Sequence, residues 1–204
     1  MTAAAKSLFG LLLGGLITAS AIAGNVSVTV LDESGKPLLD AAVFLESARA
    51  KRLTKPLPFA QMAQKDKAFT PSVLIIPTGT SVSFPNIDTV RHHVYSFSPA
   101  KRFELKLYVG TPANPVVFDK AGVVVMGCNI HDQMIAYILV VDTPFYGIAP
   151  DNGVVTINDV PSGDYSLRVW HSRLPVGAAA LKQSLKIDGS EATIKVTLKG
   201  VRPQ

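Results

Sequence analysis

The sequence is poor in the residues that mark several functional classes. It has one cysteine, Cys128, among 204 residues, and 17% of its residues are charged. It has no C-x-x-C-H run, which leaves covalently attached c-type haem unsupported. It has neither the paired carboxylates nor the nucleophile–base arrangement that would indicate hydrolysis. Aromatic and basic residues do not interleave as a nucleic-acid surface would require, so nucleic acid is not an expected partner.

The beginning of the chain, "MTAAAKSLFGLLLGGLITASAIAG", is typical of a secretory signal. Lys6 precedes an apolar stretch, and Ala21 and Ala23 form the small-x-small pair that suits cleavage before Gly24. We therefore predict a signal peptide over residues 1–23 and an exported, periplasmic protein without a membrane segment after cleavage. The alternative is an uncleaved membrane anchor, although the stretch is short for a bilayer-spanning helix and two glycines weaken it.

Export changes the interpretation of Cys128. In an oxidising compartment cysteines usually occur in pairs, so an unpaired one is either a thiolate with a function or a buried inert thiol. The net charge of +5 favours acidic partners only weakly.

Short strands and turns account for nearly all of the remaining chain. Segments such as "NVSVTVLD", "HHVYSFS" and "FELKLYVG" alternate between apolar and polar residues, and turn residues separate the segments at roughly ten-residue spacing. This pattern predicts an all-β fold built from β-sandwiches. Residues 49–68 are basic and polar and are predicted to be a connecting segment, and Pro144–Asn152 is predicted to be a domain boundary.

Two distant segments together resemble a carboxypeptidase regulatory-like domain, a small transthyretin-like sandwich. They are "VTVLDESGKPLLDAAVFLES" near the start and "GVVTINDVPSGDYSLRVWH" after residue 150. The resemblance implies a split sandwich formed by residues 24–50 and 146–204, with residues 51–145 inserted between its second and third strands. An exposed hairpin tip tolerates such an insertion if the ends of the inserted domain lie close together.

The inserted region contains possible metal ligands. Cys128, His131 and Met134 fall within seven residues, at the end of one predicted strand, in a short loop and at the start of the next strand. A further imidazole is available upstream from His92 or His93. A thiolate, two imidazoles and a weak thioether indicate a blue-copper electron-transfer centre. Zinc prefers a compact tetrahedral set, for which a thioether is a poor ligand.

These motifs resemble the cupredoxins. "VSFPNIDTVRHHVYSFS" followed by "GCNIHDQM" is similar to the amicyanin and plastocyanin-like group, over about residues 70–143. Exported proteins labelled methylamine utilisation proteins are similar over nearly the whole mature length. The resemblance implies a Greek-key sandwich and one copper ion held by four ligands: His92, Cys128, His131 and Met134.

One position departs from that pattern. The residue after the first ligand is often Asn in cupredoxins, where its side chain helps to tie the two ligand loops together, and here it is His93. His93 is therefore a competing candidate for the first ligand. Strand alternation lets only one of the two adjacent histidines point into the pocket, and we favour His92.

The resulting functional expectation is a periplasmic type 1 copper protein that carries single electrons between redox partner proteins and is not an enzyme. Arg91, Lys101 and Arg102 are expected to flank the copper end, where they either steer an acidic partner or form a solvated basic face. The alternatives are a copper storage, delivery or sensing module, and a sandwich that binds no metal. His171 is expected to be structural or at the surface, or else to lie between the two sandwiches.

Overall fold

A computed structural model describes residues 23–203. The predicted signal peptide lies outside the described residues except for Ala23. The elements, in chain order, are β1 (Ala23–Leu31), β2 (Ala42–Glu46), α1 (Ala48–Leu53), β3 (Ala60–Gln61), β4 (Ala63–Lys65), β5 (Ala68–Thr70), β6 (Val73–Pro77), β7 (Thr80–Ser83), β8 (His92–Ser98), β9 (Lys101–Tyr108), β10 (Val116–Phe118), β11 (Gly122–Cys128), β12 (Ile135–Val141), β13 (Tyr146–Ile148), β14 (Val154–Pro161), β15 (Gly163–Trp170), β16 (Leu181–Ile187) and β17 (Ala192–Thr197). The prediction of an all-β fold is confirmed.

Two sheets combine strands from the two ends of the described chain. One has the order β14-β1-β17, and the other has the order β13-β2-β15-β16. Strand β1 pairs with β17 in parallel and with β14 antiparallel. Val26, Val28 and Val30 of β1 alternate with more exposed neighbours and are fully buried in the same core as Leu45 and Leu167. Period-two alternation therefore gives these sheets one apolar face each.

The middle of the chain forms the remaining sheets. A five-stranded sheet has the order β6-β12-β11-β8-β9, a three-stranded sheet has the order β10-β7-β3, and β4 pairs with β5 in a hairpin. A second apolar core contains Phe84, Phe118, Val94, Met126 and Ile138. Every strand of these three sheets lies between residues 60 and 141.

Strand β12 contributes side chains to both cores. Ile138 and Val140 belong to the core of the middle sheets, whereas Leu139 and Val141 belong to the core formed with β1, β2 and β15. Strands that are covered on both faces carry nearly continuous apolar runs, which explains "AYILVV" in this strand. Tyr137 of β12 also contacts β15, because the centroid of its ring lies 5.2 Å from that of Trp170.

One local prediction was wrong. The segment predicted to be a connection, residues 49–68, contains most of α1, the short strands β3 and β4 and the first residue of β5, and its Met62 is buried in the middle core. Strands of two or three residues are too short to show a periodic pattern. The segment predicted to be a boundary, Pro144–Asn152, contains β13, which begins at Tyr146 and joins the sheet of β2 and β15.

The division of the chain into 24–50, 51–145 and 146–204 stays a prediction. The pairing of the strands agrees with this division, because no strand between residues 60 and 141 joins the sheet of β1 or the sheet of β2. Among residues 23–203, no helix has the length and apolar character needed to cross a bilayer.

Candidate metal centre

Three of the predicted ligands converge at one end of the five-stranded sheet. Cys128 is the last residue of β11, His92 is the first residue of β8, and His131 lies in the loop between β11 and β12. Cys128 pairs across the sheet with Val94, which brings the first and second ligand segments together. Cys128 and His92 are buried, and His131 is partly exposed.

The donor atoms of these residues surround a common point. The Nδ1 atom of His92 lies 3.7 Å from Cys128 Sγ, and the Nδ1 atom of His131 lies 3.8 Å from it. All three donor atoms lie within 4.8 Å of one another. Thiolate and imidazole bonds of about 2.3 and 2.0–2.1 Å, the lengths known for zinc, separate sulfur from nitrogen by about 3.5–3.8 Å at tetrahedral to trigonal angles. The three residues therefore form a possible metal site of the right size.

Met134 lies close to this site along the chain and in the core. Its side chain is 1% exposed and belongs to the same apolar cluster as Cys128. Its backbone N–H donates to the carbonyl of His131 over 2.9 Å, which closes the ligand loop into a tight turn. Its role as a ligand stays a prediction.

The two adjacent histidines face different neighbours. His92 is fully buried against Cys128, whereas His93 Nε2 lies 2.7 Å from Glu104 Oε1 on β9. The link between the ligand loops runs instead through the backbone, because the carbonyl of His93 accepts a hydrogen bond from Asn129 N–H over 3.1 Å. This main-chain bond does not depend on which side chain occupies position 93.

Asp88 orients His92 from the outer side, a role that sequence reasoning did not assign. Its Oδ2 atom lies 2.7 Å from His92 Nε2. Because a carboxylate only accepts, Nε2 carries the proton and Nδ1 presents its lone pair towards Cys128. Partial burial would raise the pKa of Asp88, but hydrogen bonds from Lys67 N–H, His92 and Asp66 N–H outweigh it and lower that pKa. Asp88 therefore stays an anion.

Asn86 and Tyr108 brace the segment that carries Asp88. Asn86 Nδ2 donates to the carbonyls of Val90 and Tyr108 over 2.8 and 2.7 Å, and Asn86 Oδ1 accepts from Asp88 N–H over 3.0 Å. The Tyr108 hydroxyl donates to the carbonyl of Phe84, and burial raises the pKa of Tyr108 to about 12. The loop before His92 is thus held by side-chain bonds that its sequence alone does not reveal.

The expected placement of the basic residues was partly wrong. Arg91 directly precedes His92, but Lys101 and Arg102 lie at the opposite end of the β8–β9 hairpin, opposite Ser98 and Phe97. The turn between β8 and β9 follows the last residue of β8. The first residues of β9, Lys101 and Arg102, therefore lie beside the end of β8 and far from His92 at its start. Lys101 instead contacts Asp119 at 3.4 Å.

No protein-family model and no curated protein sequence matches this chain. Among solved structures, it is similar to a purple cupredoxin from Nitrosopumilus maritimus, with 24% identity over 40% of this chain and 99% of that one and a TM-score of 0.36. Amicyanin from Paracoccus versutus is 15% identical over 48% of this chain and 97% of that one, with a TM-score of 0.36. A copper-containing nitrite reductase from Thermus scotoductus SA-01 is 28% identical over 43% of this chain and 23% of that one, with a TM-score of 0.39. The first two carry the names of the family and subgroup that the sequence motifs resemble.

Proposed function

We propose that the protein is a periplasmic type 1 copper protein that carries single electrons between redox partner proteins. The observation that carries this proposal is the convergence of His92 Nδ1 and His131 Nδ1 on Cys128 Sγ, with Met134 buried beside them. Cys128, His92 and His131 would hold a copper ion through one thiolate and two imidazoles, and Met134 would add a weak thioether contact, which is the donor set of a blue-copper centre. A copper ion bound there supplies a Cu(I)/Cu(II) couple that takes up and releases one electron.

The protein's own residues favour electron exchange over substrate binding. Cys128, His92 and Met134 are at most 3% exposed, and of the four proposed ligands only His131 reaches the surface. The fixed strands β8 and β11 hold two of the ligands, which limits their movement when the charge of the metal changes. A buried, rigid donor set would keep water and small molecules away from a bound copper ion, and the exposed edge of His131 would be the point of contact with a redox partner.

Exposed apolar side chains lie on the two loops next to the proposed ligands. Ile130 precedes His131 in the ligand loop, and Ile87 and Val90 lie in the loop before His92; all three are at least 40% exposed. Asn86, next to Ile87, is bonded to the carbonyl of Val90, so these side chains lie on the loop that Asp88 joins to His92. A surface of this kind suits brief contact with a redox partner, because apolar contact needs no desolvation of charge.

Copper loading of the purified protein tests the proposal. We expect one copper ion per chain and an intense visible thiolate-to-copper band that bleaches reversibly on reduction. Cys128→Ser should abolish the band, whereas Ser96→Ala, a change at another buried residue of β8, should preserve it. Binding of Cu(I) without the band would favour a storage, delivery or sensing module instead, and no copper binding would favour a purely structural sandwich.

A further inference from the structure

The end of the molecule opposite the proposed metal centre, which we call the basal end, is rich in basic residues. Strand β11 begins there at Gly122 and ends at Cys128, so the basal end lies roughly 20 Å from the proposed ligands. The chain segments that meet there are 51–57, 78–80, 99–102, 118–122 and 141–142. They carry six Lys or Arg residues and two Asp residues, an excess of four positive charges in a chain of formal net charge +5.

Hydrogen bonds and ion pairs join these segments to one another. The closest contacts between their atoms are Lys51–Asp142 at 2.8 Å, Leu57–Thr80 at 3.0 Å, Thr78–Val141 at 3.0 Å, Gly79–Phe118 at 2.8 Å, Lys101–Asp119 at 3.4 Å and Lys120–Pro99 at 3.4 Å. Each segment therefore touches at least one of the others, and their basic side chains share one region of the surface.

The carboxylates of the basal end are already paired, whereas most of its basic side chains are not. Asp142 pairs with Lys51, and Asp119 pairs with Lys101. The other basic residues of the basal end are exposed and form no ion pair within residues 23–203: they are Arg52, Lys55, Arg102 and Lys120. Their charges are available to attract a negatively charged surface.

Large apolar side chains stand among these charges. Leu53 follows Arg52 at the end of α1 and is 45% exposed, and Phe97 pairs with Arg102 across the β8–β9 hairpin and is 74% exposed. Phe59, which precedes β3, is 67% exposed. Exposed Phe and Leu beside Lys and Arg are typical of surfaces that bind at the interface of a bilayer. A protein partner would favour an apolar centre depleted of charge, whereas here charged and apolar side chains alternate.

We propose that the basal end binds the surface of an anionic phospholipid bilayer. The phosphate groups would contact the unpaired Lys and Arg side chains, while Leu53, Phe59 and Phe97 would enter the boundary between headgroups and acyl chains. Binding of this kind lies at the surface and needs no spanning segment. It does not depend on copper, and it would leave the proposed metal centre at the far end, directed away from the lipid.

Cosedimentation with lipid vesicles tests the proposal. The protein is prepared from Gly24 onwards, so that the apolar segment before it does not contribute to binding. We expect binding at low salt to vesicles of phosphatidylcholine with about 30% phosphatidylglycerol, and binding at least about tenfold weaker in about 0.5 M sodium chloride or with pure phosphatidylcholine. Equal binding to the two kinds of vesicle would overturn the proposal. Binding to neither kind would also overturn it and would favour an acidic protein as the partner of the basal end.

Two triple variants of equal net charge locate the lipid-binding surface. Combined Arg52→Gln, Lys55→Gln and Arg102→Gln should weaken binding about 100-fold, since each basic residue near an anionic surface contributes about fivefold. The matched control removes three exposed lysines outside the basal end: Lys36→Gln, Lys195→Gln and Lys199→Gln. It should weaken binding by less than about threefold, because these side chains would not approach the lipid. Equal losses in the two triple variants would show that net charge, and not the basal end, determines binding.

A single apolar substitution tests the insertion of side chains. Phe97→Ser should weaken binding to the anionic vesicles about tenfold, because an exposed ring loses its transfer into the lipid. Val109→Ser is the control, since Val109 is 56% exposed but follows the end of β9 that lies beside His92. Equal binding of Phe97→Ser and Val109→Ser would contradict the insertion of Phe97.

Discussion

Asp88 and His92 form a 2.7 Å hydrogen bond between Oδ2 and Nε2, and this bond joins the β4–β5 hairpin to the proposed metal centre. The same carboxylate accepts from the backbone N–H groups of Asp66 and Lys67 at the hairpin turn. Asp66 and Lys67 both have positive φ angles, 55° and 56°, and their N–H groups donate to Oδ1 and Oδ2 of this carboxylate, respectively. A surface turn thereby fixes the ring that carries the first ligand.

Replacing Asp88 should raise the reduction potential of the copper-loaded protein. Asp88→Asn removes a negative charge next to a ligand of the metal, which disfavours the more highly charged oxidised state. We expect a rise on the order of 50–100 mV, measured by spectroelectrochemical titration, with the visible band retained. Asp66→Asn, at an exposed carboxylate on the adjacent turn, should shift the potential far less. An unchanged potential in Asp88→Asn would show that the carboxylate only positions the ring.

The two adjacent histidines should differ sharply in their effect on copper binding. His92→Ala removes a donor atom 3.7 Å from Cys128 Sγ and should abolish the visible band, whereas His93→Ala removes contacts with Glu104 and Tyr95 and should preserve it. Absorption spectra of both variants after copper loading provide the measurement. Glu104→Gln is the matched control for the loss of that surface contact. A band that disappears in His93→Ala but survives in His92→Ala would reverse the ligand assignment.

Truncation of Leu139 should weaken the whole protein without altering the metal centre. The side chain is 2% exposed and packs in the core shared by the five-stranded sheet and the sheet of β2 and β15. Leu139→Ala should lower the free energy of unfolding by about 2–5 kcal/mol, as measured by denaturant titration. Leu107→Ala, at a position that is 49% exposed, should change it by less than about 0.5 kcal/mol. Loss of the visible band in folded Leu139→Ala protein would contradict the separation of the two regions.

His171 should make stability depend on pH. Burial lowers the pKa of His171 from 6.5, and its ring is hydrogen-bonded in the neutral form: Nε2–H donates to the carbonyl of Leu39, and Nδ1 accepts from Arg173 N–H. The unfolded chain therefore binds a proton that the folded state resists, so His171 contributes its full stabilisation above pH 6.5 and loses it as the pH falls below that value.

The measurement is the free energy of unfolding between about pH 5 and pH 8, the range in which a histidine changes charge. The difference in the free energy of unfolding between the wild-type protein and His171→Gln should shrink as the pH falls. The variant has no imidazole at position 171, and the other histidines contribute equally to both proteins. A difference that is constant across the range would show that the His171 ring does not resist protonation in the folded state.

Much of the strand pattern is predictable from local sequence, because alternation in β1, β8 and β15 reports directly which side chains face a core. The closeness of Cys128 and His131 in space can also be predicted from the sequence, since only a short loop separates them. The contacts of Asp88 are not readable, because they depend on the hairpin at residues 63–70, whose strands are too short to recognise. Lys101 was misplaced for a related reason, since a hairpin turn sends neighbouring residues to opposite ends of the sheet.

The pairing of β1 with β17 also determines when this molecule can be completed. Val26 at the start of β1 pairs with Ala192, and the other neighbour of β1 is β14. Whether the chain emerges from the ribosome or across a membrane, both neighbours of β1 follow long after it, so this strand stays unpaired until the middle region has emerged. Contacts so distant along the chain slow folding and leave an edge open to misassembly. The middle region can therefore fold first, and we expect the pairing of β1 with β14 and β17 to be a late step of folding.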